Sequence, residues 1–203
     1  MVTLSHIVGG LSMVTPEEGR ELLEIARESI ANALALGRTE ARWEMGQRLR
    51  SRDWTGRMAQ PSGAFVTIRE RGELRGCIGY IESPLPLARV VAEVAAKAAT
   101  EDPRFPPMTQ SDLARATLEV SILTPLRRIT DIAEITVGTH GLLMELGRHR
   151  GLLLPQVASE YGWDRETFLA STARKAGLPG TAWKDPEASL YIFSADIVSE
   201  EEH

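Results

Sequence analysis

The chain has 203 residues, 43% hydrophobic and 25% charged, the balance of a globular protein able to bury one sizeable core or two joined smaller ones. A formal charge of −5 argues against nucleic acid as a partner, and the single cysteine, Cys77, excludes an intramolecular disulfide and any multi-cysteine metal site. No apolar run approaches the ~18 residues that span a bilayer, and residues 1–13 lack the basic start and cleavage site of a secretory signal. A cytoplasmic protein with no membrane contact is therefore expected.

Thr15-Pro16-Glu17-Glu18 predicts a helix start, with Thr15 as N-cap and Glu18 closing a capping box. Leu23, Ala26, Ile30, Ala33 and Leu34 fall on one face of that helix, and Gly37 is placed to end it. Residues 38–61 read as an irregular segment, carrying Arg38, Arg42, Arg48, Arg50, Arg52 and Arg57 beside Trp43 and Trp54. Basic residues with interleaved aromatics can bind nucleic acid, but Glu40, Glu44 and Asp53 dilute the charge and favour a core-covering role. Segments 64–70 and 73–81, joined by Arg71-Gly72, predict a β-hairpin. After Ser83-Pro84-Leu85-Pro86 comes a helix with Leu87, Val90, Val91, Val94, Ala95 and Ala98 inward, stopped by Asp102-Pro103.

Residues 116–123 alternate cleanly, with Leu118, Val120 and Ile122 on the core face and Thr117, Glu119 and Ser121 opposite. A second hairpin is predicted from 140–146 and 151–154 across the loop 147–150. Helical stretches follow at 155–161 and from the N-cap Asp164 to Ala176, terminated by Gly177. A final strand spans 189–198. Hairpins separated by helices, without a repeated strand–helix beat, indicate an α+β fold with mainly antiparallel pairing.

The most informative stretch is Leu74-Arg75-Gly76-Cys77-Ile78-Gly79. Strand alternation puts Arg75, Cys77 and Gly79 on one face, and glycines inside a strand mark a bulge or the close approach of a backbone or ligand. Two readings of Cys77 stay open. It is an accessible thiol whose pKa the neighbouring Arg75 lowers, or it is a small buried side chain, with Gly76 and Gly79 fitting a tight helix–sheet contact.

This hexapeptide resembles the signature of the AMMECR-type domain family. The resemblance continues through Phe65-Val66-Thr67, Asp102-Pro103-Arg104-Phe105, Glu119-Val120-Ser121-Ile122-Leu123-Thr124-Pro125, Gly138-Thr139-His140-Gly141-Leu142, Gly151-Leu152-Leu153-Leu154-Pro155-Gln156-Val157-Ala158 and Lys175-Ala176-Gly177-Leu178. It implies two unequal lobes of mainly antiparallel sheets flanked by helices, with a cleft between them. Residues 15–198 would form that single domain, between an N-terminal tail at 1–14 and an acidic C-terminal tail at 199–203. The resemblance also implies two partners, a Memo-like protein and a radical S-adenosylmethionine protein. Members often carry a second cysteine where this chain has Ala173, which disfavours a two-thiol redox mechanism.

Two functions of different class are compatible with these residues. In the first, the domain is a binding or adaptor subunit, its glycine-lined strand face receiving a partner segment or small molecule through Arg75, Gly76, Gly79, Ser121 and Arg104. In the second, it is an enzyme with Cys77 as nucleophile in the inter-lobe cleft, His140 as base and Glu119 as orienting group. Several local alternatives accompany these. His140 can instead satisfy a turn carbonyl, and Glu119 can pair with Arg75 or face solvent. Arg104 can bind a carboxylate or phosphate, although the adjacent Asp102 favours a loop-fixing pair. His6, His149 and His203 show no metal-ligand spacing, so no metal or other cofactor is expected. The binding reading is preferred, because no general base is fixed by sequence spacing.

Overall fold

The computed structural model describes residues 2–6, 14–36 and 54–200, with Val2–His6 and Leu36 defined by backbone alone. Gly37 and most of the Arg/Trp-bearing segment, including Arg38 to Asp53, lie outside the described residues. The chain divides into two compact units, entering the second at Thr124 and returning to the first at Asp196.

The larger unit is a five-stranded sheet with two long helices. Its strands are β1 (Val2–His6), β2 (Ala64–Glu70), β3 (Glu73–Tyr80), β4 (Ala116–Leu123) and β9 (Ala195–Glu200), in the order β1-β9-β4-β2-β3. The helices are α1 (Pro16–Leu36) and α2 (Leu87–Thr100), with a single turn, α3 (Gln110–Leu113), before β4. The predicted capping box opens α1. Glu18 donates its N–H to the Thr15 hydroxyl at 3.1 Å, and its carboxylate accepts the Thr15 N–H at 2.8 Å. Leu22, Ala26 and Ile30 of α1 join Leu87, Val90, Val91, Val94 and Ala95 of α2, all fully buried, over Ala64, Val66, Ile68, Leu118, Val120 and Ile122 of the sheet. At roughly 1.5–3 kcal/mol for each large apolar side chain, this layer is the main source of the unit's stability.

The predicted β2–β3 hairpin is present, and in it Val66 faces Ile78 and Thr67 faces Cys77. The turn residues Arg71 and Gly72 both adopt positive φ, 54° and 79°. Arginine is poorly suited to that conformation, whereas asparagine tolerates it. Arg71→Asn is expected to stabilise the protein by about 0.5–1 kcal/mol, read as a rise in the thermal midpoint.

The smaller unit is a four-stranded sheet, β5 (Arg127–Ile129), β6 (Gly141–Leu146), β7 (His149–Leu153) and β8 (Ser189–Phe193), in the order β5-β8-β6-β7. Helices α4 (Pro155–Glu160) and α5 (Arg165–Lys175) accompany it. Asp164 caps α5 as predicted, accepting the Thr167 N–H at 2.8 Å, and Gly177 follows its end with φ 75°. Leu142, Met144, Phe168, Leu169, Ala173 and Ile192 form the core of this unit. Ala173 is completely buried.

Four features depart from the sequence reading. The 1–14 tail contains β1, which pairs with β9. The 147–150 loop is tighter, because His149 and Arg150 belong to β7. The predicted strand 189–198 is two strands in two different sheets. Ser194 separates them, its N–H donating to the Thr124 hydroxyl (2.8 Å) and its carbonyl accepting the Thr124 N–H (2.9 Å), so neither group continues a ladder. Glu200 belongs to β9 instead of a tail. Its carboxylate accepts the Arg27 Nε–H at 2.8 Å and the Leu118 N–H at 2.8 Å, tying the C-terminal strand to α1 and β4.

Candidate functional site

The Leu74–Gly79 hexapeptide lies on β3, the edge strand of the larger sheet. Thr67 of β2 has Cys77 on one side and Glu119 of β4 on the other, so Cys77, Thr67 and Glu119 form a row across three strands. The Thr67 hydroxyl donates to Cys77 Sγ at 3.4 Å. Phe65 similarly lies between Gly79 and Ser121.

The outward-facing edge at Cys77 is closed by side chains instead of a neighbouring strand. The Cys77 N–H donates to Asp102 Oδ2 at 2.9 Å, and the Cys77 carbonyl accepts from Arg104 Nη2 at 3.2 Å. Asp102 and Arg104 are themselves joined, with Nη2 to Oδ2 at 2.7 Å and Nε to Oδ1 at 2.9 Å. One donor–acceptor pair thus satisfies both backbone groups of an edge residue, as a paired strand would. The Asp102–Arg104 pair that the sequence favoured is present, and it clamps β3 as well as its own loop. Arg104, raised in pKa by its bonds to Asp102, keeps its charge; Asp102 is lowered to about 2, first by Arg104 and then by the N–H groups of Cys77 and Arg104.

The thiol is half-buried. Burial pushes its pKa above the ordinary value. The Thr67 hydroxyl and the Arg104 cation pull it down, and the Asp102 and Glu119 carboxylates push it back up. The net direction is upward, so Cys77 is a thiol, not a thiolate, near neutral pH. Of the two readings left open for Cys77, this direction favours the buried side chain over a thiol activated by Arg75. Ile68 faces Gly76 while Arg69 faces Leu74, so Arg75 is the extra residue of a β-bulge and the alternation is interrupted there. Its guanidinium donates to the Pro106 carbonyl at 2.8 Å and stands 3.8 Å from Asp112, so the contacts seen for Arg75 are these and not the pairing with Glu119 that is one of the two sequence alternatives.

Neither glycine of the hexapeptide leaves a vacancy for a partner. A Cβ on Gly76 would lie 2.3 Å from the Ala98 carbonyl oxygen of α2, so its missing side chain is what lets helix and strand pack. A Cβ on Gly79 would lie 2.3 Å from the Phe65 ring, which already fills that space. The side of Gly76 on which a Cβ would stand is covered by α2. Ser121 is fully buried, which also sets it apart from an open binding face.

His140 belongs to the smaller unit. Its Nδ1 accepts the Thr136 N–H at 3.1 Å, and burial together with the Arg127 cation lowers its pKa, keeping the ring neutral. The turn role is therefore the one seen: the ring accepts the Thr136 N–H and is also hydrogen-bonded to the backbone of Glu134. Two residues of the site, Thr67 and Asp102, were not assigned there from sequence. Asp102 stands 25 positions from the N–H it binds, and only the pairing of loop and strand edge reveals the contact. Among the described residues, no group of three or more His, Cys, Asp or Glu could hold a metal ion, and no helix is long and apolar enough to cross a membrane.

The fold and edge-clamped hexapeptide define an α+β protein of two sheet-and-helix units. Over residues 23–198 the chain matches the AMMECR1 family model, and it belongs to that family. It is 44% identical over 191 residues to a protein of Methanothermobacter thermautotrophicus, covering 91% of this chain and 95% of the relative. A protein of Methanopyrus kandleri is 39% identical over 198 residues, with 93% and 91% covered. The crystal structure of an uncharacterized protein from Pyrococcus horikoshii superposes with a TM-score of 0.84 at 36% identity, covering 94% of this chain and 95% of that one.

Proposed function

We propose that this chain is a binding or adaptor subunit that works with a Memo-like protein and a radical S-adenosylmethionine protein, and that Cys77 serves the architecture of the sheet edge instead of chemistry. The observation that carries this reading is the engagement of every polar group of Cys77. Its N–H meets Asp102, its carbonyl meets Arg104 and its sulfur meets Thr67, with the thiol held protonated by burial. The alternative, a Cys77 nucleophile with His140 as base, is disfavoured by two features. The Glu119 carboxylate opposes the thiolate, and Nδ1 of His140 already accepts the Thr136 N–H. The partners follow from the family resemblance.

Co-expression of a tagged copy with each partner tests the reading. Co-elution with one or both is expected, and Cys77→Ala should retain it, because a packing cysteine tolerates alanine at a stability cost of roughly 1 kcal/mol. Failure of both partners to co-elute would overturn the adaptor role. Loss of association in a folded Cys77→Ala protein would overturn the purely architectural role of the thiol.

A further inference from the structure

The turn between α4 and α5 carries a feature that the clamped edge does not explain. Tyr161 is 68% exposed, and the other exposed large hydrophobic side chain among the described residues, Leu74, reaches only 37%. Tyr161 is not a loose surface side chain. Its ring stacks on Trp163, with centroids 5.1 Å apart and planes 17° from parallel, and Trp163 packs against the core of the smaller unit. Gly162 joins the two at φ 61°, and a Cβ there would meet nothing within 4 Å, so open space borders the turn. The result is a pre-positioned aromatic ring presented to solvent, and such rings carry binding energy at small ordering cost.

The charges nearby in sequence are mostly negative. Glu160, Asp164 and Glu166 are exposed and flank the stack, and Asp164 is held ionised by its bonds to Thr167. The only cation between positions 156 and 173 is Arg165, whose Nε donates to the Ile135 carbonyl at 3.1 Å. An aromatic face amid carboxylates suits a cation, with guanidinium favoured because it stacks flat on the ring as well as carrying charge. We infer that the Tyr161–Trp163 stack is a docking point for an arginine-bearing segment of a partner protein. The inference rests on the binding-subunit reading and gives that subunit a further contact, on its smaller unit.

Fluorescence polarisation with a labelled hexapeptide alternating Arg and Gly tests it, beside the same peptide with Lys or with Glu. The Arg peptide is expected to bind best and the Glu peptide not at all, with binding weakening as salt rises. Tyr161→Phe should bind like the wild type, whereas Tyr161→Ala should lose about fivefold or more in affinity. Both changes lie on an exposed side chain, so both proteins should fold. Equal binding by wild type and Tyr161→Ala, or no binding of the Arg peptide, would overturn the inference. If the Memo-like or radical S-adenosylmethionine protein still co-elutes when the peptide fails, the docking point alone falls and the adaptor reading stands.

Discussion

Gly76→Ala should cost this protein about 3 kcal/mol or more, or leave it unable to fold, which is the largest effect expected of any single-methyl addition in the hexapeptide. The obstacle is the carbonyl oxygen of Ala98, 2.3 Å from the new Cβ, with the carbonyl carbon at 3.1 Å. A helix backbone cannot rotate aside as a side chain can, so α2 would have to retreat from β3. That movement would loosen Val91, Val94 and Ala95, which are fully buried against the sheet. Ala98→Gly should not rescue the variant, because the clash is with backbone. Urea unfolding of the purified variant, or its absence from the soluble fraction, reads the effect.

Asp102→Asn should be the second most damaging change, at about 2–3 kcal/mol. Breaking a buried ion pair costs roughly 3–5 kcal/mol, and the half-exposed Arg104 reduces that here. Asparagine can still accept the Cys77 N–H through its oxygen, but its NH2 group then faces the Arg104 guanidinium, donor against donor. The pH dependence has a definite sign. The folded carboxyl is lowered to about 2, below its unfolded value near ~3.9, so its contribution is present above pH ~4 and is lost as pH falls toward 2. The exposure of Arg104 to solvent limits that contribution to about 1–2 kcal/mol. Wild type and Asp102→Asn should therefore converge in stability on acidification, which denaturant curves across pH 2–6 would follow.

Much of the fold was legible because it rests on local periodicity. The strand β4 buries Leu118, Val120 and Ile122 as its alternation requires, and α2 buries all six of the residues assigned inward. Thr15 and Glu18 formed their capping box because both partners lie within one turn. What escaped depends on distant contacts. The break at Ser194 is fixed by Thr124, 70 positions earlier, and Glu200 reads as a tail residue until Arg27 is brought beside it.

The candidate site shows the same division. Placing Cys77, Thr67 and Glu119 in one row follows from strand pairing. The strand glycines signal a bulge or a close approach, but its position at Arg75 is fixed only by the pairing with β2, and it interrupts the shared face of Arg75 and Cys77. The glycines were legible as close approach, and the two bodies that approach, α2 and the Phe65 ring, are internal ones. The direction of the thiol pKa goes with the buried one of the two sequence readings, since burial outweighs the nearby cation.

The central claim is that Cys77 is an edge-strand residue held as a neutral thiol by its surroundings. The rate of alkylation by iodoacetamide against pH measures this most directly in the intact protein. The account predicts slow reaction at neutral pH and a midpoint above the ~8.5 of an exposed thiol, unmoved by Arg75→Ala and shifted further upward by Arg104→Ala. A midpoint below ~8 that rises in Arg75→Ala would contradict it, and would return Cys77 to consideration as a nucleophile.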